Sequence, residues 1–315
     1  MPKRQYHVIF NPNAGTALAS GITTGKLREL FQTAGLEVEV DDDENSPISD
    51  RVTSAVRGAA DVVVAAGGDG TVLAVAEGLL DSEKILGILP LGTLNGLVRD
   101  LRLPLDLNGA IQALPSLEPR AIDVGEVNGR PFLHNVIVGL VPSIAVGREQ
   151  IRGKGLAEKL GFLRFMIRQL ARARRIALAL QAGNDSPRIE RLQTLVVANN
   201  SYEQRFGKIM SRRRLDRGTL TVYLIRSLRL FDAVRLAFEM FWGAWRDDEV
   251  IEFEKVQQLV VGSKRRRLLV TMDGEVLKLS PPLEFTVRPK SLQVLAPAEQ
   301  TEASGTAGAI EAAPT

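Results

Sequence analysis

Short apolar runs separated by stretches of helical spacing mark the first part of the chain. YHVIF from Tyr6, LEVEV from Leu36, DVVVAA from Asp61 and ILGILP from Ile85 predict strands. Between them, GKLRELFQTAG closed by Gly35, a segment around Asp50 to Gly58, and VLAVAEGLL predict helices, and a loop–helix pair follows the fourth strand. Strands alternating with helices imply a parallel sheet covered on both faces, with ligands outside the carboxyl ends of the strands. After Ala121 the texture changes. AIDVGEVNG, RPFLHNVIVGL, ARRIALALQA, RLQTLVVANN, TLTVYLIRS and VQQLVVGS predict strands with short turns, and RLLVTMDGEVLKLSP predicts a hairpin turning at Asp273-Gly274. Helical stretches interrupt them at about Arg148 to Arg174 and Leu230 to Trp245. The expected organisation is an α/β domain over residues 1–120, followed by a β-rich, sandwich-like domain over 121–295. The last strands are free to return to the first domain, and 296–315 form a polar, aperiodic tail expected to be disordered.

Three loops follow predicted strands in the first domain. In GGDGT, Gly67 to Thr71, glycines allow close backbone approach to an anion and the helix start offers free amides. Asp69 inside such a loop points to phosphoryl transfer rather than passive nucleotide binding. NPNAG, from Asn11 to Gly15, and PLGTLNG, with Gly92, Thr93 and Asn95, repeat the strand–turn–helix arrangement. Each alone is an ordinary turn or capped helix; three at one sheet edge make a composite site.

Composition narrows the chemistry. The 315 residues include no cysteine, which excludes a disulfide framework, a thiolate zinc site and a cysteine nucleophile. The amino terminus reads as a first strand rather than a signal peptide. The longest apolar candidate, FLHNVIVGLVPSIAVG from Phe132, is short of the roughly 20 residues of a membrane span and is broken by His134, Asn135 and Pro142. A cytoplasmic location is expected. His7 and His134 lie in apolar strands and are read as structural.

NPNAG, GGDGT, PLGTLN and the later DGE together resemble the diacylglycerol-kinase catalytic family, including bacterial lipid kinases and sphingosine kinases, from about Tyr6 to Pro289. NAD kinases share glycine–aspartate–glycine loops and a related fold, but VVANN does not supply the asparagine–glutamate pair they would carry. The resemblance implies ATP and Mg²⁺ as cofactors and a lipid substrate, with diacylglycerol converted to phosphatidic acid as the simplest reaction. A sphingosine-type or other alcohol kinase and a non-catalytic nucleotide- or lipid-binding relative are the alternatives. It places Asn11, Gly67, Gly68, Asp69, Gly70, Thr71, Thr93 and Asn95 at nucleotide-contacting positions, with Gly274 and Glu275 beside them. Asp273 falls on the proton acceptor and Asp123 on an acidic position important for activity; Asp69, a carboxylate beside the phosphates, is the candidate to organise phosphates and metal. Asp216 is the candidate ligand of a structural magnesium, although Arg217 stands where family members show a second aspartate, and a guanidinium cannot ligate. Gly96 also departs from the pattern, where a larger or polar side chain is usual.

The net charge of +3 is mild, but the basic residues cluster. Leu156, Leu160, Leu163, Ile167 and Leu170 form one helical face, widened by Phe162, Phe165 and Met166. Lys154, Lys159, Arg164, Arg168, Arg172, Arg174 and Arg175 supply the charge. A basic amphipathic helix can lie on an anionic membrane, each basic residue adding on the order of 1 kcal/mol. Lys264 to Arg267 would extend that surface. With few aromatics and no binding motif, nucleic acid is not expected as a partner. Peripheral membrane contact is expected, and a homodimer is compatible with the sequence.

Overall fold

The computed structural model describes residues 4–140, 174–203, 211–227 and 251–298, with isolated positions between 142 and 169 and at 232 and 235. In the first lobe, β1 (Tyr6–Phe10), β2 (Val38–Asp41), β3 (Val62–Gly67) and β4 (Ile85–Pro90) pair in the order β2-β1-β3-β4, all parallel. Every residue of β1 and β3 is buried. That pattern requires cover on both faces, because successive strand residues point to opposite sides. Helices α2 (Thr24–Thr33), α3 (Ile48–Arg57), α4 (Asp69–Leu79) and α6 (Leu107–Ala113) supply it through Leu27, Phe31, Val52, Val75, Leu79 and Ile111. Their ends follow local chemistry: the Thr23 and Asp106 side chains accept the amides of Lys26 and Gly109, and Gly35 leaves α2 with φ +70°. Two short helices, α1 (Gly15–Ser20) and α5 (Gly96–Asp100), follow the NPNAG and GTLN loops.

The second lobe is antiparallel and two-layered. One layer is β7 (Asn135–Gly139), β10 (Thr194–Asn199), β11 (Leu220–Ile225), β12 (Ile251–Val256), β14 (Leu268–Met272) and β15 (Glu275–Leu279), ordered β12-β11-β10-β7-β14-β15. The other is continuous with the first-lobe sheet through β8 (Ile176–Ala182), β9 (Arg188–Leu192), β13 (Gln258–Gly262) and the long β16 (Leu283–Ala296). Val136, Val138, Leu195, Val197, Val222 and Val270 from the first layer meet Leu178, Leu180, Leu259, Val261, Leu283 and Phe285 from the second in one apolar core. Alternation turns the other residues of these strands outward, so that Asn135 and Ile137 of β7 and Thr271 of β14 line a cleft.

Two strands join the lobes. β5 (Glu118–Val127) runs antiparallel to β16 along most of its length, while Val294 of β16 pairs in parallel with Leu86 of β4. The β5–β16 register shifts between Arg288 and Leu292, and Lys290 there has φ +50°. This bulge lets a single strand serve both lobes. Strands β9 and β12, rich in charge and partly exposed, were not expected from the sequence. Nearly all of the expected helix at Leu230 to Trp245 and of the basic helix, and the tail beyond 298, lie outside the described residues.

Candidate active site

A cavity of about 780 Å³ lies where the GTLNG loop and α5 of the first lobe face β7, β14 and the Asp273 turn of the second. Asp69, Thr93, Gly96, Asp100, His134, Arg212, Asp273 and Gly274 are among its lining residues. The loops on its first-lobe side are held by backbone proximity. A Cβ on Gly67 would meet Thr71 Oγ1 at 2.4 Å, and one on Gly92 would meet Gly68 Cα at 2.7 Å. Asn11 Nδ2 donates to Thr71 Oγ1 at 3.1 Å, tying NPNAG to GGDGT. The first turn of α4 has no side-chain cap, so its amides remain available to an anion.

Asp69 does not extend freely toward that position. Its carboxylate accepts the amides of Asn95 (3.1 Å) and Gly96 (2.7 Å), fixing the start of α5. Asn95 itself sits at φ +50° and exchanges hydrogen bonds with the backbone of Gly92. Glu275 reaches the same neighbourhood from across the cleft, its Oε1 lying 3.4 Å from where a Gly70 Cβ would stand.

On the second-lobe side, β14 and β15 are joined by a two-residue turn with φ +47° at Asp273 and +94° at Gly274. Both central residues having positive φ matches the twist of the hairpin, and the Asp-Gly pair tolerates it. The turn points the Asp273 carboxylate at the β6–β7 connection, β6 being Arg130–Phe132. Oδ2 accepts the amide of Leu133 (2.6 Å), and Oδ1 accepts those of His134 (2.8 Å) and Asn135 (2.9 Å). Burial pushes its pKa above the ordinary carboxylate value, while these amides and Arg212 pull the other way. A carboxylate oxygen has two lone pairs, so Oδ2 keeps one for a further donor. The arrangement can hold a carboxylate in one orientation with a lone pair open to a donor from the cavity.

Arg212 is the largest feature that sequence reasoning missed. Its side chain is fully buried and forms an ion pair with Asp100, with Nε and Nη2 at 2.9 and 2.7 Å from Asp100 Oδ2. Nη1 donates to the carbonyls of Leu133 and Asn199, so one guanidinium ties α5 to two segments of the other lobe. His134, expected to be structural, lines the cavity and packs on Gly96, where a Cβ would come within 2.7 Å of its ring. This contact accounts for glycine at position 96. Tyr202, also missed, is buried against the cavity with its hydroxyl 2.7 Å from Asn135 Nδ2, and burial pushes its phenol pKa up.

Two sequence candidates sit elsewhere. Asp123 is buried on β5, away from the cavity lining. Its Oδ1 accepts the amide of Lys290 at the β16 bulge, and its Oδ2 accepts Gly218 N–H and Asn200 Nδ2. It organises the junction of the lobes. Asp216 is engaged by Arg214 through both oxygens at 2.8 and 2.9 Å, and that contact holds its carboxyl below the ordinary value. For Asp216 to meet magnesium, as the sequence suggests, the half-exposed Arg214 guanidinium would have to move aside. Among the described residues no three histidine or acidic side chains converge.

A parallel-sheet lobe with glycine loops, facing a β-sandwich across a cleft that carries an oriented carboxylate, defines a two-lobed kinase-like fold. A family model described as the diacylglycerol kinase catalytic domain matches residues 5–127, and one described as the YegS C-terminal NAD kinase beta sandwich-like domain matches 144–296. The chain belongs to this diacylglycerol kinase family of lipid kinases. It is similar to the diacylglycerol kinase of Bacillus subtilis, with 26% identity covering 95% of this chain and 98% of the relative. A diacylglycerol kinase of Staphylococcus saprophyticus is 24% identical, covering 87% and 89%. A crystal structure of a diacylglycerol kinase from Bacillus anthracis superposes with TM-score 0.66 at 18% identity, covering 94% and 98%, and shares the fold.

Proposed function

We propose that the chain transfers the γ-phosphoryl group of ATP to a lipid hydroxyl, most simply that of diacylglycerol, giving phosphatidic acid. The observation that carries this reading is the half-buried Asp273 carboxylate, oriented by three amides and facing the GTLNG loop across one cavity. The uncapped start of α4, with Asn11 and Thr71 beside it, would receive the phosphates, and magnesium would arrive with the nucleotide. Asp69 would act by fixing the GTLNG loop, and Asp123 by holding the lobes in register. Phosphoryl transfer needs mainly positioning and charge neutralisation, with a base contributing about 10²–10⁴-fold.

The acceptor would come from a bilayer. No described helix is long and apolar enough to cross a membrane. Arg164, Arg168, Arg174, Arg175 and Lys264 to Arg267 are exposed and would face anionic lipid. Substituting Gln at Arg164 and Arg168 should reduce sedimentation with anionic vesicles; unchanged binding removes the helix from that role.

The direct test incubates the chain with labelled ATP, magnesium and mixed micelles of diacylglycerol, sphingosine or other lipid alcohols. Transfer to diacylglycerol is expected. Transfer to a different lipid alone overturns the substrate, and nucleotide binding without transfer overturns the kinase reading.

A further inference from the structure

Within the cavity, His134 contributes its backbone amide to Asp273, but its ring has no task in the mechanism above. The ring's protonation follows from its neighbour. Arg212 has five N–H groups and cannot act as an acceptor. Nε donates to Asp100, the two Nη1 hydrogens go to the Leu133 and Asn199 carbonyls, and Nη2 serves Asp100 and, at 2.8 Å, His134 Nδ1. Two donors cannot face each other, so Nδ1 presents its lone pair and the ring proton resides on Nε2. Asp100 Oδ2 lies 3.7 Å from Nδ1, beyond hydrogen-bond distance, and is already taken by the guanidinium. Burial and the Arg212 charge hold His134 well below the ordinary imidazole value, so the ring stays neutral.

Position gives that N–H a target. The backbone amide of His134 donates to Asp273 Oδ1, while Nε2 lies 2.9 Å from where a Gly96 Cβ would stand. The imidazole therefore extends from the proton acceptor to the loop that carries Thr93 and is fixed by Asp69. Among the described residues no acceptor meets Nε2, and the ring borders the cavity.

We propose that His134 is a catalytic hydrogen-bond donor whose Nε2–H contacts a non-bridging oxygen of the phosphoryl group during transfer. The inference rests on the lipid-kinase reading. In the step, the lipid hydroxyl oxygen forms a bond to the γ-phosphorus and its proton passes to Asp273. The bond from the γ-phosphorus to the bridging oxygen breaks, and ADP leaves with the electron pair. The His134 proton remains on Nε2 throughout. A neutral donor meets the charge on the phosphoryl oxygens without placing a second cation against Arg212. Gly96 is then the residue that makes room for the ring.

The test compares wild type with His134→Asn and His134→Gln. An asparagine carbonyl can accept from Arg212 as Nδ1 does, but it leaves nothing at the place of Nε2; glutamine carries an amide N–H toward that place. His134→Asn should lower kcat by about 100-fold with little change in KM for ATP, and His134→Gln should recover at least about tenfold of that loss. Equal losses in both variants, or none in either, overturn the proposal. A second measurement needs no variant. The chain has two histidines, so ¹⁵N spectra contain two imidazoles. One should remain in the Nε2–H form without titrating between about pH 5 and 8, and its proton should shift on adding magnesium–ATP. An Nδ1–H form, or no shift, overturns the assignment. A wild-type chain that phosphorylates no lipid would sink the kinase reading, while the response of the imidazole to magnesium–ATP would still decide whether the ring donates to phosphate.

Discussion

On the first-lobe side of the cleft, Gly68 and Gly92 bring two loops so close that a methyl group on Gly92 would stand 2.7 Å from Gly68 Cα. On the second-lobe side, Arg212 and Asp100 are buried, Asp273 is half-buried beside them, and their side chains are held by hydrogen bonds to charge. The first region is defined by what is missing from its side chains and should fail when atoms are added. The second is defined by paired charges and should fail when one partner is removed. A phosphate loop needs exposed amides, which glycine gives. A base needs a fixed lone pair at a tuned pKa, which demands desolvation and therefore an internal counter-charge.

The largest expected effect comes from unpairing the second region. Arg212→Met leaves Asp100 buried without its cation and should destabilise the fold by about 3–5 kcal/mol, read by urea unfolding. Arg212→Met combined with Asp100→Leu should recover much of that loss, because no unpaired charge remains. If the single variant unfolds like wild type, the guanidinium is not what joins the lobes.

Next comes Asp273→Asn, which should lower transfer at least ~100-fold while nucleotide binding and the fold persist. The asparagine oxygen can still accept the His134 and Asn135 amides, so the turn stays docked. Retained activity would take Asp273 out of the base role. Gly92→Ala should then act on the other region alone. Its methyl must push the two loops apart, at a cost of about 1–3 kcal/mol. Titration should show ATP binding weakened about tenfold, with KM for the lipid little changed. Weakening of both substrates alike would mean that the two sides of the cleft are not separately built.

The same contrast explains what could be read from the chain. Glycine loops are local: GGDGT, NPNAG and GTLN show themselves in a few residues, and the first-lobe strands follow from apolar runs that must be buried on both faces. The ion pair of Asp100 with Arg212 joins positions 112 residues apart. Arg212 begins the run RRRLDR, whose composition resembles a solvated basic loop, and nothing local distinguishes it from exposed Arg213 and Arg214 beside it. Nothing local in VVANN marks Asn199 and Asn200, yet Asn199 donates to the Asp123 carbonyl and Asn200 to its carboxylate. β16 is broken in sequence by Pro289 and Lys290; it is one strand because Asp123 accepts the Lys290 amide that the bulge frees from the ladder. Charged edge strands such as β9 and β12 lack the apolar alternation that identifies a half-buried strand.

The smallest effect, and the one that separates the regions most finely, is in pH. The folded pKa of Asp273 is raised above 3.8, chiefly by burial, so the folded state holds its proton to higher pH than the unfolded chain does. Its contribution to stability is therefore greatest below the ordinary carboxylate value and declines as pH rises through the raised one. Activity runs the other way, since a base must be ionised: the acid limb of kcat/KM should lie above 3.8 and should vanish from the residual rate of Asp273→Asn. His134, held neutral, should add no limb near 6.5. Gly92→Ala touches neither group, so it should lower the profile without moving its limb. A limb that shifts with Gly92→Ala would mean that the glycine loops help set the basicity of Asp273, and the division between a region built from absent side chains and one built from buried charge would fail.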